Sequence, residues 1–347
     1  MASPFFSLTD KTYQKQDGIP MIYDIDRDIY RIAVPLEGSP LGTLNAYFFR
    51  GPEEDYLMDT GFHTAQCEDS LRTALRALDY RPDRLNILNT HLHMDHTGLN
   101  HVFVGKLGRI YISGVDLDRM QRHYRKDGYR RGTRDLREGA DQAEFETMLL
   151  NGPEKNSADR FAFDAGRYVP LADGQRLDLG PCTLQTVLVP GHTPGNAMFY
   201  VPEKKLMFTG DHVLFDITPN ITFWPEYDNA LQRYLESLER AKRFDVALAL
   251  PGHRGSGDYR ARIDRILLHH EHRLAEIETI VGNEPGLTAY EITRRMRWRI
   301  HLDENGRFPP AQLWFAAGEC MAHLDKLMAD GRMCRVEGEP YITYHLP

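Results

Sequence analysis

Cysteine is scarce in this 347-residue chain: Cys67, Cys182, Cys320 and Cys334 stand far apart, with no C-x-x-C pair. That usage rules out a thiolate zinc finger and a disulfide framework, and it suits a reducing, cytoplasmic setting. No run approaches the roughly 20 apolar residues that a membrane-spanning helix needs. The opening stretch MASPFFSLTDKTYQKQDG has no basic segment leading into an apolar one, so no cleaved secretion signal is expected. Positive charge is in deficit, with 42 lysines and arginines against 50 acidic residues and a net charge of −8. Such a chain repels phosphate backbones on average, and binding nucleic acid would require a local basic patch. Repeats and low-complexity tracts are also missing.

What remains is ordinary globular material, 41% hydrophobic and 27% charged, in a chain long enough for two domains. Strand signals fall at 29–36, 45–50, 55–61, 85–90 and 108–113, with helical spacing of Leu71, Leu75 and Leu78 over 64–80. Further strands are expected at 183–191, 196–201, 205–211 and 246–253, and a helix at 228–244. The alternation predicts a layered α/β core. Residues 116–160 interrupt it with a charged, helical insertion. Beyond residue 260 the texture becomes helical, with amphipathic segments at 259–282, 287–298 and 310–331 and a hairpin-like 332–346. That order is the order of a winged helix. We therefore divide the chain into a catalytic domain, 1–260, and a linker helix plus winged-helix-like domain, 261–347.

The chain has 15 histidines, so histidine alone says little and spacing has to carry the reading. In NTHLHMDHTGLN, residues 89–100, His91, His93, Asp95 and His96 fall within six positions. An extended backbone sends His91 and His93 to one side, while Asp95, as a helix N-cap, and His96 turn to a neighbouring point. One loop thus feeds two metal positions, each short of a full set of ligands. Three later strand ends, each with a tight glycine turn, offer His192 (VPGHTPGN), Asp211 (MFTGDH) and His253 (LPGHRG). We assign His91, His93 and His192 to one metal, Asp95, His96 and His253 to the other, and Asp211 as a bridge. Two such sites roughly 3.5–4 Å apart would share a hydroxide acidified to a pKa near 7.

The succession H-x-H-x-D-H (His91–His96), G-H-T-P-G (Gly191–Gly195), T-G-D (Thr209–Asp211) and P-G-H (Pro251–His253) resembles the metallo-β-lactamase superfamily over roughly residues 25–260. The resemblance implies an αββα sandwich with a dinuclear centre along one edge. It also implies that Asp59, in YLMDTG, steadies the ligand loop. The ligand set is similar to that of the glyoxalase-II-type thioesterases. The C-terminal extension is similar to that of the winged-helix-bearing β-lactamase-like-protein-2 branch. Asn196 stands where many relatives carry a second histidine, and the insertion is longer than in compact members.

These readings converge on a hydrolase that uses two divalent metal ions, zinc by donor type with iron or manganese accepting the same donors. Asp95 and Asp211 would do the catalytic work on a small acyl substrate: a thioester, ester or lactone. A single-strand RNA endonuclease of the same fold and a β-lactam hydrolase are the alternatives. Helix 310–331 would be the groove reader of a winged helix, yet it holds Lys326 against Glu319, Asp325 and Asp330, the wrong sign for phosphate. The module is therefore expected to pack, to dimerise the chain or to shape the active site. In the insertion, Arg119, Arg122, Arg125, Lys126, Arg130, Arg131, Arg134 and Arg137 alternate with Asp116, Asp118, Asp127, Asp135 and Glu138, the pattern of a solvated, salt-bridged face. The alternative is that some of these arginines, with Tyr124 or Tyr129, meet an anionic tail of the substrate. His269, His270 and His272 are expected on a solvated helix face, and His212 in the core. Phe215, Phe223, Trp224 and Tyr227 are expected in the core or on the wall of an acyl pocket.

Overall fold

Strand β3 (Thr43–Arg50) carries the layering in its own alternation: Leu44, Ala46 and Phe48 enter one core while Tyr47 and Phe49 enter another. The structure, a computed structural model, describes residues 22–124, 132–143, 165–299, 304 and 306–347. Among these, β1 (Ile22–Asp26), β2 (Ile29–Pro35), β3, β4 (Asp55–Met58), β5 (Leu85–Leu88), β6 (Ile110–Ser113) and β7 (Tyr168–Leu171) form one sheet in that order. The first four pair antiparallel, and β4 through β7 pair parallel. A second sheet runs β12 (Leu248–Pro251), β11 (Leu206–Gly210), β10 (Ala197–Val201), β9 (Thr183–Leu188), β8 (Arg176–Asp178).

The two sheets face each other through Phe49, Met58, Leu88, Phe199, Phe208 and Leu250. Helix α1 (Ala65–Ala77), capped by the Thr64 side chain on the Cys67 amide, covers the outer face of the first sheet with Cys67, Leu71 and Leu75. Helix α6 (Ala230–Ala241) and the long α7 (Tyr259–Asn283) cover the second. The result is helix, sheet, sheet, helix, as the motif order implied. Strands β1, β7 and β8 have no counterpart in the sequence reading, because they are short and mostly half-buried or exposed, and their alternation is weak.

Past α7 come α8 (Ala289–Arg295), opened by a Thr288–Glu291 capping box, then α9 (Pro310–Ala329) and a hairpin of β13 (Cys334–Glu337) and β14 (Ile342–His345). Helix α9 is buried along much of its length, and one apolar cluster joins its Met321, Leu324 and Leu327 to Tyr234 and Leu238 of α6 and Ile263 of α7. No helix among the described residues is long and apolar enough to cross a membrane.

Two expectations of solvated charge are corrected. Asp116, Asp135 and Glu138 are fully buried. Glu138 pairs with Arg134 Nε at 3.0 Å and accepts the Tyr344 hydroxyl, and its carbonyl accepts the Tyr290 amide, so α5 (Gly132–Arg137) is docked on the C-terminal helices. Mixed signs at helical spacing look alike in water and against a partner, and the partner here lies some 200 positions along the chain. Arg122 with Asp118 is exposed, as expected. Arg125, Lys126, Asp127, Tyr129, Arg130, Arg131 and positions 144–160 of the insertion lie outside the described residues. His270 is likewise buried, its Nδ1 3.0 Å from His323 Nε2, whereas His272 is exposed. The helix that carries it turns that face toward α9, not toward water.

Candidate metal centre

The chemistry-bearing loops leave the ends of strands at one rim of the sandwich: Asp59 after β4, residues 89–96 after β5, His192 after β9, Asp211 after β11 and His253 after β12. Backbone bonds sew the rim together. Asn45 N donates to Gly252 O at 2.7 Å, its side chain to Pro251 O at 3.0 Å, and Ala197 N to Thr90 O at 2.8 Å. Leu44 and His253 form a lone antiparallel bridge between the sheets.

Three groups of donor atoms converge there, each within 4.8 Å: His91 with His93 and His192, Asp95 with His96 and His253, and Asp211 with His91 and His96. The residues singled out in the sequence thus lie together. Asp211 stands between the other two groups, with Oδ2 3.9 Å from His192 Nε2 on one side and, on the other, Oδ1 3.5 Å from His96 Nε2 and Oδ2 3.4 Å from His253 Nε2. Asp95 Oδ2 is 3.3 Å from His253 Nε2.

The outer nitrogens of these imidazoles are anchored. His192 Nδ1 donates to Asn220 O at 2.8 Å, and His253 Nδ1 to Thr43 O at 2.8 Å. His96 Nδ1 donates to Asp59 Oδ2 at 2.7 Å. The Thr90 hydroxyl donates to Asp59 Oδ2, so it accepts from His91 Nδ1 at 3.0 Å. These four rings are thereby oriented with Nε2 facing the cluster, the arrangement that metal-binding histidines need, while His93 turns its Nδ1 inward, 3.0 Å from His91 Nε2. Asp59 does this in a left-handed backbone conformation, φ 61°, and also takes the Thr90 amide.

Electrostatics agree with a cation-seeking site. Burial, reinforced by neighbouring imidazoles, pushes His91 well below the ordinary range and takes His93 down to about 3. Burial alone would raise Asp95, but His96 and His253 hold it down at about 2. Burial opposes charge on His253 too, yet Asp211 and Asp95 lift it to about 10. His192 Nε2 and Asp211 Oδ1 are buried and have no hydrogen-bond partner among the described residues. An orphaned buried polar atom costs about 1–3 kcal/mol, and a cation shared among these lone pairs would remove that cost. Five imidazoles and two carboxylates fit a divalent metal.

Asp116 escapes the sequence reading as a contributor, and Trp224, expected in the core or on a pocket wall, stands at the site itself. Asp116, at the start of α4 (Gly114–Tyr124), accepts the Leu92 amide at 3.0 Å, the Gly195 amide at 2.7 Å and the Thr193 hydroxyl at 2.7 Å. It ties the 91–96 loop to the 191–195 turn, and burial pushes its carboxyl up to about 6. Its place just past a parallel strand beside β5 was the available signal. Trp224 stacks on His93, with centroids 6.0 Å apart and planes 15° apart, and donates Nε1 to His192 O at 3.2 Å. Phe215, Phe223 and Tyr227 are partly buried beside it, and His212 packs on Tyr234 in the core.

A family model described as the metallo-beta-lactamase superfamily matches residues 40–253. The chain belongs to the metallo-beta-lactamase superfamily. A second model, the metallo-beta-lactamase-like C-terminal domain, matches 274–345. A metallo-beta-lactamase family protein from Thermus thermophilus superposes with a TM-score of 0.75 at 26% identity, over 93% of this chain and 100% of that one. Among curated relatives, the lactamase-like protein nscB of Neosartorya fischeri is 30% identical over 152 residues, 38% of this chain and 43% of its own length. The chain therefore spans less than half the length of that relative. The acyl-coenzyme A thioesterase MBLAC2 of Homo sapiens is 26% identical over 228 residues, 60% of this chain and 72% of that protein. The atrochrysone carboxyl ACP thioesterase of Aspergillus fumigatus is 25% identical over 256 residues, 72% of this chain and 64% of that protein.

Proposed function

We propose that this superfamily member is an enzyme, a metal-dependent hydrolase of acyl thioesters that holds two divalent ions, zinc by donor type. His91, His93 and His192 would hold one, Asp95, His96 and His253 the other, with Asp211 shared. The observation that carries the reading is the pair of orphaned atoms, His192 Nε2 and Asp211 Oδ1, buried among imidazoles of which four, His91, His96, His192 and His253, have their far nitrogens engaged. When bound, such ions polarise an acyl carbonyl and acidify water into the neutral range. The chain's own part is positioning. Asp95, held ionised by His96 and His253, would orient the attacking water as a fixed acceptor. Asp59 and Asp116 keep the ligand loops in register, and Trp224 closes one side of the site with an apolar face.

The thioester preference is supported by the relatives named as thioesterases, whose carriers are coenzyme A and an acyl carrier protein. Arg119, with its guanidinium 5.6 Å from the Trp224 and Tyr227 ring centres, stands where an anionic carrier would approach. Against the RNA-cutting alternative, α9 is packed inward with Glu319 and His323 buried, so it offers no groove-reading face. We assign 1–260 to catalysis and 261–347 to a winged-helix-like module that shapes the site, working in the cytoplasm. The test is a panel of acyl-coenzyme A esters, lactones, β-lactams and single-stranded RNA offered to zinc-loaded protein. Thiol release from the thioesters, abolished in Asp211→Ala, is the expected result. Preferential RNA cleavage, or thiol release at the full rate in Asp211→Ala, would overturn the reading.

A further inference from the structure

We infer that Glu319 and Asn220 are positioning residues for His192, through which the C-terminal helix α9 sets the affinity of the His91/His93/His192 metal group. The inference rests on the ligand assignment proposed above. His192 is oriented by a single hydrogen bond from its Nδ1, and the acceptor is the carbonyl of Asn220. That carbonyl belongs to the connection between β11 and α6, which has no regular strand or helix of its own to fix it. Arg262 of α7 holds the first part of this connection by donating to Leu214 O and Ile217 O, and the anchors at Asn220 itself come from α9. The Asn220 side-chain amide donates to Glu319 Oε2 at 3.0 Å and to Phe315 O at 3.3 Å, and Phe223 N donates to Gly318 O at 2.9 Å.

Glu319 is itself held from the far side. It is buried, and Arg273 of α7 places Nε 3.7 Å from its Oε1. Arg273 in turn donates to Glu276 and to Arg297 O, each at 2.8 Å. One residue, Asn220, therefore fixes the imidazole with its backbone while its side chain grips the C-terminal helix. Loosening that grip lets the carbonyl drift and the ring turn, so the geometry at Nε2 is lost before any ligand is removed. Trp224 also reaches this loop, through the His192 carbonyl, but it leaves the ring itself unconstrained.

The experiment uses full-length protein in a His253→Ala background, where the group containing His192 is read alone. Zinc affinity is measured by competition with a chromophoric chelator, and thermal unfolding of the metal-free protein is recorded alongside. Glu319→Ala and Asn220→Ala are each expected to weaken zinc binding about 10–100-fold, the usual effect of removing an outer partner of a ligand. Glu319→Gln keeps an oxygen to accept from Asn220 and is expected to stay within about threefold of its parent. In metal-free protein, long-range proton–nitrogen spectra should show His192 as the Nδ1–H tautomer in the parent and as a mixture in Asn220→Ala. Should Glu319→Ala fail to fold, Asn220→Ala tests the same link, because its backbone carbonyl is intact. Unchanged affinity in folded variants, whatever happens to their unfolding temperature, would overturn the inference while leaving the ligand set standing. A parent that binds no zinc would instead bring down the ligand assignment, and this inference with it.

Discussion

Removing the Asp116 carboxylate tests whether the metal centre is held by a bond between its loops. Asp116→Ala strips the acceptor from two backbone amides and one hydroxyl, the Leu92 amide part-buried and the other two donors buried. Left unsatisfied, such donors cost about 1–3 kcal/mol each. Part of that loss is offset, because the carboxylate is itself held against burial. Its pKa, pushed up to about 6, corresponds to about 3 kcal/mol of strain on the ionised form at neutral pH. The net expectation is a loss of up to about 6 kcal/mol of stability in the alanine variant, about 3 kcal/mol at the midpoint, and roughly half that in Asp116→Asn, which keeps one accepting oxygen. Function should suffer more selectively. Leu92 lies between His91 and His93, and Thr193 and Gly195 follow His192, so the clamp bears directly on all three imidazoles of one group and reaches Asp95 and His96 of the other only along the 91–96 loop. Chelator competition should show weakening of about 10–100-fold at that group and a smaller loss at the Asp95/His96/His253 group. Urea unfolding of metal-free protein supplies the stability term. If both variants lose stability but bind two metals as tightly as the parent, the clamp supports the fold and not the site.

Other perturbations have expected signs. A methyl at Gly252 would meet Asp211 Oδ1 at 2.5 Å and His96 Cε1 at 3.0 Å, so Gly252→Ala should shed metal and lose thioester hydrolysis at least tenfold while unfolding within a few degrees of the parent. Stripping metal with a chelator should lower the unfolding temperature by about 5 °C or more, since each site filled at a hundred times its dissociation constant contributes about 2.7 kcal/mol. No shift in calorimetry would count against ion binding in the native state. Burial pushes Glu319 up to about 7. The native state then keeps a proton that the unfolded chain releases near 4.5, so this group's contribution is present below that pH and is lost as pH rises toward 7. The slope is at most about 1.4 kcal/mol per pH unit, and Glu319→Gln should flatten that part of the stability curve.

What the sequence announced was local. His91, His93, Asp95 and His96 share one loop, and the turns carrying His192, Asp211 and His253 each declare themselves by a glycine beside a chemical group at a strand end. Their convergence could be inferred because each motif reports its own backbone conformation. Asp116, Asn220 and Glu319 declare nothing locally. Asp116 looks like one more acid in a charged helix, and Glu319 like the wrong charge on a recognition helix, until partners about 80 to 100 positions away are brought against them. Burial of a charge depends on what faces it, and periodicity cannot report that. The docked α5 segment reads as solvated for the same reason.

The shared apolar cluster that binds Met321 and Leu324 to Tyr234 and Ile263 has a consequence for how this architecture can change. A chain cut at residue 260 would bare that surface to solvent, so the tail cannot be traded like a bead on a string. Substitutions far out on the last long helix will behave as lesions of the reaction centre. Any search for variants with altered selectivity can begin there, at a distance from the candidate ligands themselves.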